Sequence, residues 1–176
     1  MKFVMPEVVT SQFHLRPGDK VADFGAGRGF FLEPLAAAVG SDGEVILCEI
    51  QKPLVELLSE QVRLKNYSNI KPAWCDLEEV NGIPIQTHTL DVGIMVNTLF
   101  QIEDRDTALK EILRTVRPGG KFFVIDWTES IPGLGPTPDH LVPQADCVAL
   151  FEGAGCVLER EFPAGDHHYG VAFRTV

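Results

Sequence analysis

The short apolar run Lys20–Phe24 is followed at once by glycines at 25, 27 and 29, and then by an alanine- and leucine-rich stretch, Phe30–Val39, closed by Gly40. An apolar run too short for a helix, a glycine turn and a helical pattern together make a strand–turn–helix unit. A strand that leads into a helix is the unit from which, when it repeats, a parallel sheet covered by helices is built.

The rest of the chain repeats the alternation. Glu44–Ile50 is a second strand, and Pro53 opens a helix carrying Leu54, Leu57, Leu58 and Val62 at helical spacing. Ile70–Trp74 is a third strand, ending in the acidic turn Cys75–Asp76–Leu77, and Leu90–Val96 is a fourth. A helix is expected over Arg105–Val116, stopped by Arg117–Pro118–Gly119–Gly120, before the fifth strand Lys121–Trp127. Residues 128–143 are rich in proline and glycine and read as a loop. Gln144–Gly153 reads as a helix, and Cys156–Phe162 and Tyr169–Val176 as two strands joined by a short turn at Asp166–His168. Such a turn makes an antiparallel hairpin on the edge of the sheet. At 176 residues the chain is expected to be a single domain, residues 1–176, with a short helix at Pro6–Phe13 in the N-terminal segment 1–19.

Open α/β sheets bind ligands beyond the carboxyl ends of their strands, where the strand order reverses. Glycines there let a ligand approach the backbone without interference from Cβ atoms. A dinucleotide site wants G-x-G-x-x-G, whereas Gly25, Gly27 and Gly29 give G-x-G-x-G, with Phe30 in the place of the third glycine. Asp23 stands just ahead of these glycines, and its carboxylate suits a cation better than a pyrophosphate. S-adenosylmethionine carries an ammonium and a sulfonium and no phosphate.

With the segment D-F-G-A-G-R-G at 23–29, the sequence resembles the class I S-adenosylmethionine-dependent methyltransferases, in particular small enzymes related to the ubiquinone/menaquinone and arsenite methyltransferases. The resemblance implies a Rossmann-like, seven-stranded, mostly parallel sheet with an antiparallel C-terminal hairpin and helices on both faces. It also implies a cofactor site. Asp23, Gly25, Ala26, Gly27, Gly29 and Phe30 match the first motif, and Glu49, with Ile50, matches the acid that binds the ribose hydroxyls. Asp76 and Leu77 match the turn at the adenine, while Asn97 and Thr98 match the segment beside the methionine portion. Arg117–Pro118–Gly119–Gly120 matches a structural turn of the family.

Methyl transfer from a sulfonium is an in-line displacement with a good leaving group, so positioning in a dry pocket supplies much of the rate. A base is required only when the acceptor must lose a proton. Asn97, Gln101 and Asp126 are the catalytic candidates, and Trp127 and Glu129 lie close by in sequence. Relatives often carry a histidine pair where this chain has Phe100 and Gln101, which removes one possible base. His140 is read as a solvated loop residue, and His167 and His168 as surface residues of the hairpin turn. The acceptor site is expected from Phe3, Val4 and Met5 together with the loop 128–143, which flanks it.

The net charge of −10 and the absence of a basic cluster disfavour nucleic acid. The sequence V-N-T-L-F (96–100) also lacks the paired prolines of base-amino methyltransferases. Cys48, Cys75, Cys147 and Cys156 form no C-x-x-C pair, so free buried thiols and no metal site are expected. Cys147 and Cys156 could in principle capture a soft substrate such as trivalent arsenic, which nothing else in the sequence supports. No run is long enough to span a membrane and no secretory leader is evident, so a cytoplasmic protein is expected. A small-molecule acceptor is the leading expectation. The alternatives are a protein lysine side chain as acceptor, a non-catalytic cofactor-binding partner subunit and, least favoured by the glycine spacing, a nicotinamide-dependent oxidoreductase.

Overall fold

The computed structural model describes residues 4–176; Phe3, expected at the acceptor site, lies outside them. In chain order the elements are α1 (Pro6–Ser11), β1 (Lys20–Phe24), α2 (Leu32–Val39), β2 (Glu44–Glu49), α3 (Lys52–Leu64), β3 (Ile70–Trp74) and β4 (Leu90–Val96). A 3₁₀ turn (Leu99–Gln101) precedes α4 (Arg105–Thr115), β5 (Val116–Trp127), α5 (Gln144–Gly153), β6 (Val157–Pro163) and β7 (His168–Arg174). The seven strands form one sheet in the order β3-β2-β1-β4-β5-β7-β6. The first five run parallel, whereas β7 is antiparallel to both β5 and β6. The order reverses between β1 and β4, which puts the crevice for a ligand beside the glycine turn.

Alternation along the strands supplies two cores. In β5, Phe122 and Val124 join the core under α4 and α5, where Phe122 lies 5.9 Å from Phe24 and 5.2 Å from Phe151 between ring centroids. Phe123 and Ile125 face the other way, into the core shared with α1, α2 and α3, where Phe13 lies 4.7 Å from Phe123. Strands buried on both faces read as continuous apolar runs, which is why β1 and β4 were so plain in the sequence.

Boundaries differ where hydrogen bonding overrides local propensity. α2 starts at Leu32 rather than Phe30, because the glycine turn continues to Phe31. β5 starts at Val116, so Arg117–Gly120 is an irregular extended segment and not a helix-ending turn. It is held there by the C-terminal strand end: the N–H of Gly119 donates to the Thr175 carbonyl (2.9 Å), and Thr175 Oγ1 donates to the Arg117 carbonyl (2.6 Å). Arg117 Nε also donates to Asp91 Oδ1 (2.7 Å), whose Oδ2 accepts from the N–H of Lys20 (2.9 Å). Asp104 caps α4, its Oδ1 accepting from the N–H of Thr107 (3.1 Å).

Gly93 in the middle of β4 is required by this packing. A Cβ there would overlap the Phe122 ring and lie 3.1 Å from that of Phe24. Gly93→Ala is therefore expected to cost about 1–3 kcal/mol of stability, seen as a lower urea midpoint with an unchanged slope.

Candidate active site

The glycine turn is tied down by the end of β2. The N–H groups of Gly25 and Ala26 both donate to the Cys48 carbonyl (3.0 and 2.9 Å). The next amide along the turn, the N–H of Gly27, donates to Glu49 Oε2 (2.9 Å), while Glu49 Oε1 accepts from the N–H of Gln51 (2.8 Å). The consequence for ligand choice is direct. Three amides that would cradle a phosphate in a nucleotide loop are already engaged, and two carboxylates stand among them.

Asp23, at the end of β1, is 2% exposed. Burial, reinforced by the charge of Glu49, raises its pKa to about 7. A cation beside it would favour the carboxylate.

The three glycines serve different purposes. A Cβ on Gly27 would meet nothing within 4 Å, so this position opens onto free space. A Cβ on Gly25 would run into the Thr98 side chain. At Gly29 a Cβ would come within 2.7 Å of Leu58 on α3, and Gly29 lines neither cavity described below. Its glycine is explained by packing of the turn on α3.

Two cavities meet at Gly25, Gly27 and Gln101. The smaller, about 300 Å³, lies beyond β2 and β3 and is bordered by Glu49, Ile50, Asp76, Leu77 and Thr98, with Cys48 and Cys75 at its wall. Asp76 Oδ1 accepts from the N–H of Glu78 (3.0 Å), which fixes the turn after β3. The larger, about 650 Å³, extends toward β5 and is bordered by Asp23, Ala26, Phe30, Asn97, Trp127 and His168, and by Val4 and Leu134 at its rim. Phe30 is 71% exposed at the mouth. The expected first-motif and strand-end residues are thus brought to one crevice, except Gly29.

Asn97 ends β4 in the left-handed region, at φ +54°. Its N–H donates to the Ile125 carbonyl (2.9 Å), its carbonyl accepts from Gln101 Nε2 (2.7 Å), and its Oδ1 is buried without a partner. Asparagine tolerates this conformation better than most residues. Asp126, a catalytic candidate from sequence, lines neither cavity. It is 1% exposed, and its carboxylate accepts from the N–H groups of Trp127 (2.8 Å) and Phe100 (3.4 Å). It holds the 3₁₀ turn against β5, and burial lifts its pKa to about 6 against these bonds.

His168 was read from sequence as a surface residue; it is 6% exposed and borders the larger cavity. The reason is topological. Because β7 runs antiparallel, its first residue lies at the carboxyl edge of the sheet, paired with Trp127. His167 does stay near the surface, with Nδ1 2.6 Å from Glu129 Oε1. His140 is exposed, its Nδ1 2.8 Å from Thr137 Oγ1. All four cysteines are buried and free, and burial pushes Cys147 to about 12 and Cys156 to about 11. Neither thiol is poised as a thiolate for a soft ion.

Asp23 also makes apo stability depend on pH. A carboxyl whose pKa is higher in the folded state than its unfolded value near 3.8 stabilises the fold while protonated, and that stability is lost as pH rises toward about 7. Relative to the parent, Asp23→Asn should gain a few kcal/mol as pH is raised from 4 to 8, the scale set by ~1.4 kcal/mol per unit. Denaturation series at both ends of that range check this; parallel curves would contradict it.

The family model described as "Methyltransferase domain" matches residues 22–124. The ubiquinone/menaquinone biosynthesis C-methyltransferase of Cupriavidus metallidurans is 32% identical over 120 residues, covering 68% of this chain and 47% of that protein. That of Idiomarina loihiensis is 28% identical over 118 residues, covering 66% and 46%. The chain thus spans about half the length of the curated relatives it matches. A crystal structure of a SAM-dependent methyltransferase from Aquifex aeolicus superposes with a TM-score of 0.90 at 27% identity, over 99% of this chain and 91% of that one. The chain belongs to the methyltransferase domain family, and its cofactor is S-adenosylmethionine.

Proposed function

We propose that the chain transfers a methyl group from S-adenosylmethionine to a small, largely apolar, ring-bearing acceptor seated in the larger cavity. The observation that carries this reading is the buried Asp23 beside a glycine turn whose amides are already used, opening onto an apolar space. The site asks for a cation on one side and an uncharged molecule on the other.

The residues fit the cofactor. Gly27 leaves space that a Cβ would fill, and Asn97 Oδ1 is a buried acceptor in need of a donor. Asp23 and Asn97 would face the methionine end, with Gly25, Ala26 and Gly27 presenting bare backbone to it. Glu49, whose oxygens each keep a lone pair beyond their bond to an amide, would accept from the ribose hydroxyls beside Ile50. Asp76 and Leu77 would border the adenine, with Thr98 beneath. When bound, S-adenosylmethionine supplies an electrophilic methyl carbon on a positively charged sulfur. The chain's own contribution is to orient the two partners and exclude water from between them.

The acceptor class rests on the walls of the larger cavity, which include Val4, Phe31, Val96, Trp127 and Leu134. It also rests on the curated relatives, named as C-methyltransferases of ubiquinone and menaquinone biosynthesis. Nucleic acid is disfavoured by the net charge of −10. Among the described residues no helix is long and apolar enough to cross a membrane, and four unpaired thiols suit a reducing, cytoplasmic setting.

Gly27→Ala should weaken S-adenosylmethionine binding about tenfold or more in calorimetry, because the added methyl enters the ligand's space; unchanged affinity would remove the close-approach argument. Labelled methyl groups offered to a cell extract should appear in the small-molecule fraction. Label in protein would favour a lysine acceptor, and label in RNA would overturn the charge argument. Binding without transfer to any fraction would favour a non-catalytic partner role.

A further inference from the structure

In the proposed reading the ammonium of the donor's methionine end lies beside Asp23. That ammonium shares one carbon with a carboxylate, so wherever Asp23 draws the one, the other must follow. The crevice as a whole repels it. Among the described residues, the two cavities are bordered by four carboxylates, Asp23, Glu49, Asp76 and Glu78, and by a single arginine or lysine, Arg28. A further carboxylate brought among these acids needs a cation beside it. His168 does not supply one: burial is the main cause holding its pKa below the ordinary histidine value, with the charge of His167 adding to it, so the ring stays neutral.

Arg28 stands where the cation is needed. It directly follows the bare stretch Gly25–Gly27 that Asp23 and Phe24 precede, and both Asp23 and Arg28 border the larger cavity. Its backbone is held, because its carbonyl accepts from Gln61 Nε2 on α3 (3.3 Å). Its side chain is exposed and makes no hydrogen bond or ion pair among the described residues. We propose that Arg28 anchors the carboxylate of the methyl donor, so that this chain selects S-adenosylmethionine over its decarboxylated form. The inference rests on the placement of the donor's methionine end beside Asp23. A guanidinium offers parallel N–H groups that match the two oxygens of a carboxylate, and it stays charged across the working pH range. Solvent screens an exposed pair, so the anchor decides selectivity rather than supplying most of the affinity.

The acidic field by itself favours the opposite choice. Decarboxylated S-adenosylmethionine keeps the ammonium, the sulfonium and the nucleoside, and carries one more net positive charge. Among four carboxylates it would bind the more tightly, unless a specific partner for the missing carboxylate outweighs that gain. The sign of the preference therefore separates an anchor from a general attraction of cations.

The test is calorimetric titration of the full chain with each donor, with no acceptor present so that nothing turns over. S-adenosylmethionine should bind about fivefold or more tightly than the decarboxylated donor. Arg28→Met, which keeps most of the stem and removes the charge, should abolish or reverse that preference, weakening S-adenosylmethionine about tenfold and leaving the decarboxylated donor as tight as before or tighter. Arg28→Lys should keep part of the preference. A parent chain that binds the decarboxylated donor equally well would overturn the anchor. So would a preference that survives in Arg28→Met, or equal weakening of both donors, which marks a structural role. Asp23→Asn tells these failures from failure of the reading beneath: it should weaken both donors alike, because both carry the ammonium. If it weakens neither, the placement of the methionine end falls and the anchor falls with it.

Discussion

The site depends on the Glu49 carboxylate. Standing at the end of β2, it accepts from the N–H of Gly27 and from that of Gln51, and so pins the glycine turn to the start of α3. Charge-assisted bonds from backbone amides are among the stronger ones available to a fold, and here they are largely shielded from water. The same carboxylate sets the electrostatics, because its charge adds to burial in raising Asp23. A turn that looks like a phosphate loop in sequence is thereby turned into its opposite: its amides are occupied and its surroundings are acidic.

From this constraint the division of the crevice follows. On the β2–β3 side a ligand would meet carboxylates with lone pairs to spare, in a space of about 300 Å³. On the β5–β7 side it meets aromatic and aliphatic walls with two orphaned acceptors, Asn97 Oδ1 and His168 Nε2. The strand order places the ridge between them at Gly25 and Gly27, where the proposed reading has methyl donor and acceptor meet. In the proposed reading, the net charge of −10 disfavours strongly anionic acceptors on that side.

The parallel part of the fold was legible because its strands are buried on both faces and its helices carry ordinary stripes, as in Leu109, Ile112 and Leu113 of α4. Asp23 and Glu49 were legible because each stands at the end of an apolar strand and in register with the glycine turn, where either acid alone would have read as a solvated strand end. Two things were not. The role of Gly29 depends on Leu58, a residue far along the chain that no local pattern connects to it. His168 was misplaced because a histidine pair in a predicted hairpin turn looks solvated, and only the insertion of β7 between β5 and β6 brings its first residue to the ligand edge. Asp126 was misassigned for the converse reason: its position at the end of β5 was right, but its carboxylate is spent on backbone N–H groups of the neighbouring turn. In each case the missing information was long-range pairing, which a single sequence carries weakly.

In the proposed reading, an acidic cradle built on Glu49 holds Asp23 for a cation. Calorimetric titration with S-adenosylmethionine in buffers of different ionisation enthalpy measures the protons exchanged on binding. At pH 6.5, below the Asp23 pKa of about 7, binding is expected to release roughly half a proton or more per cofactor, and none from Asp23→Asn. Binding to the parent protein at that pH with no proton release would contradict it.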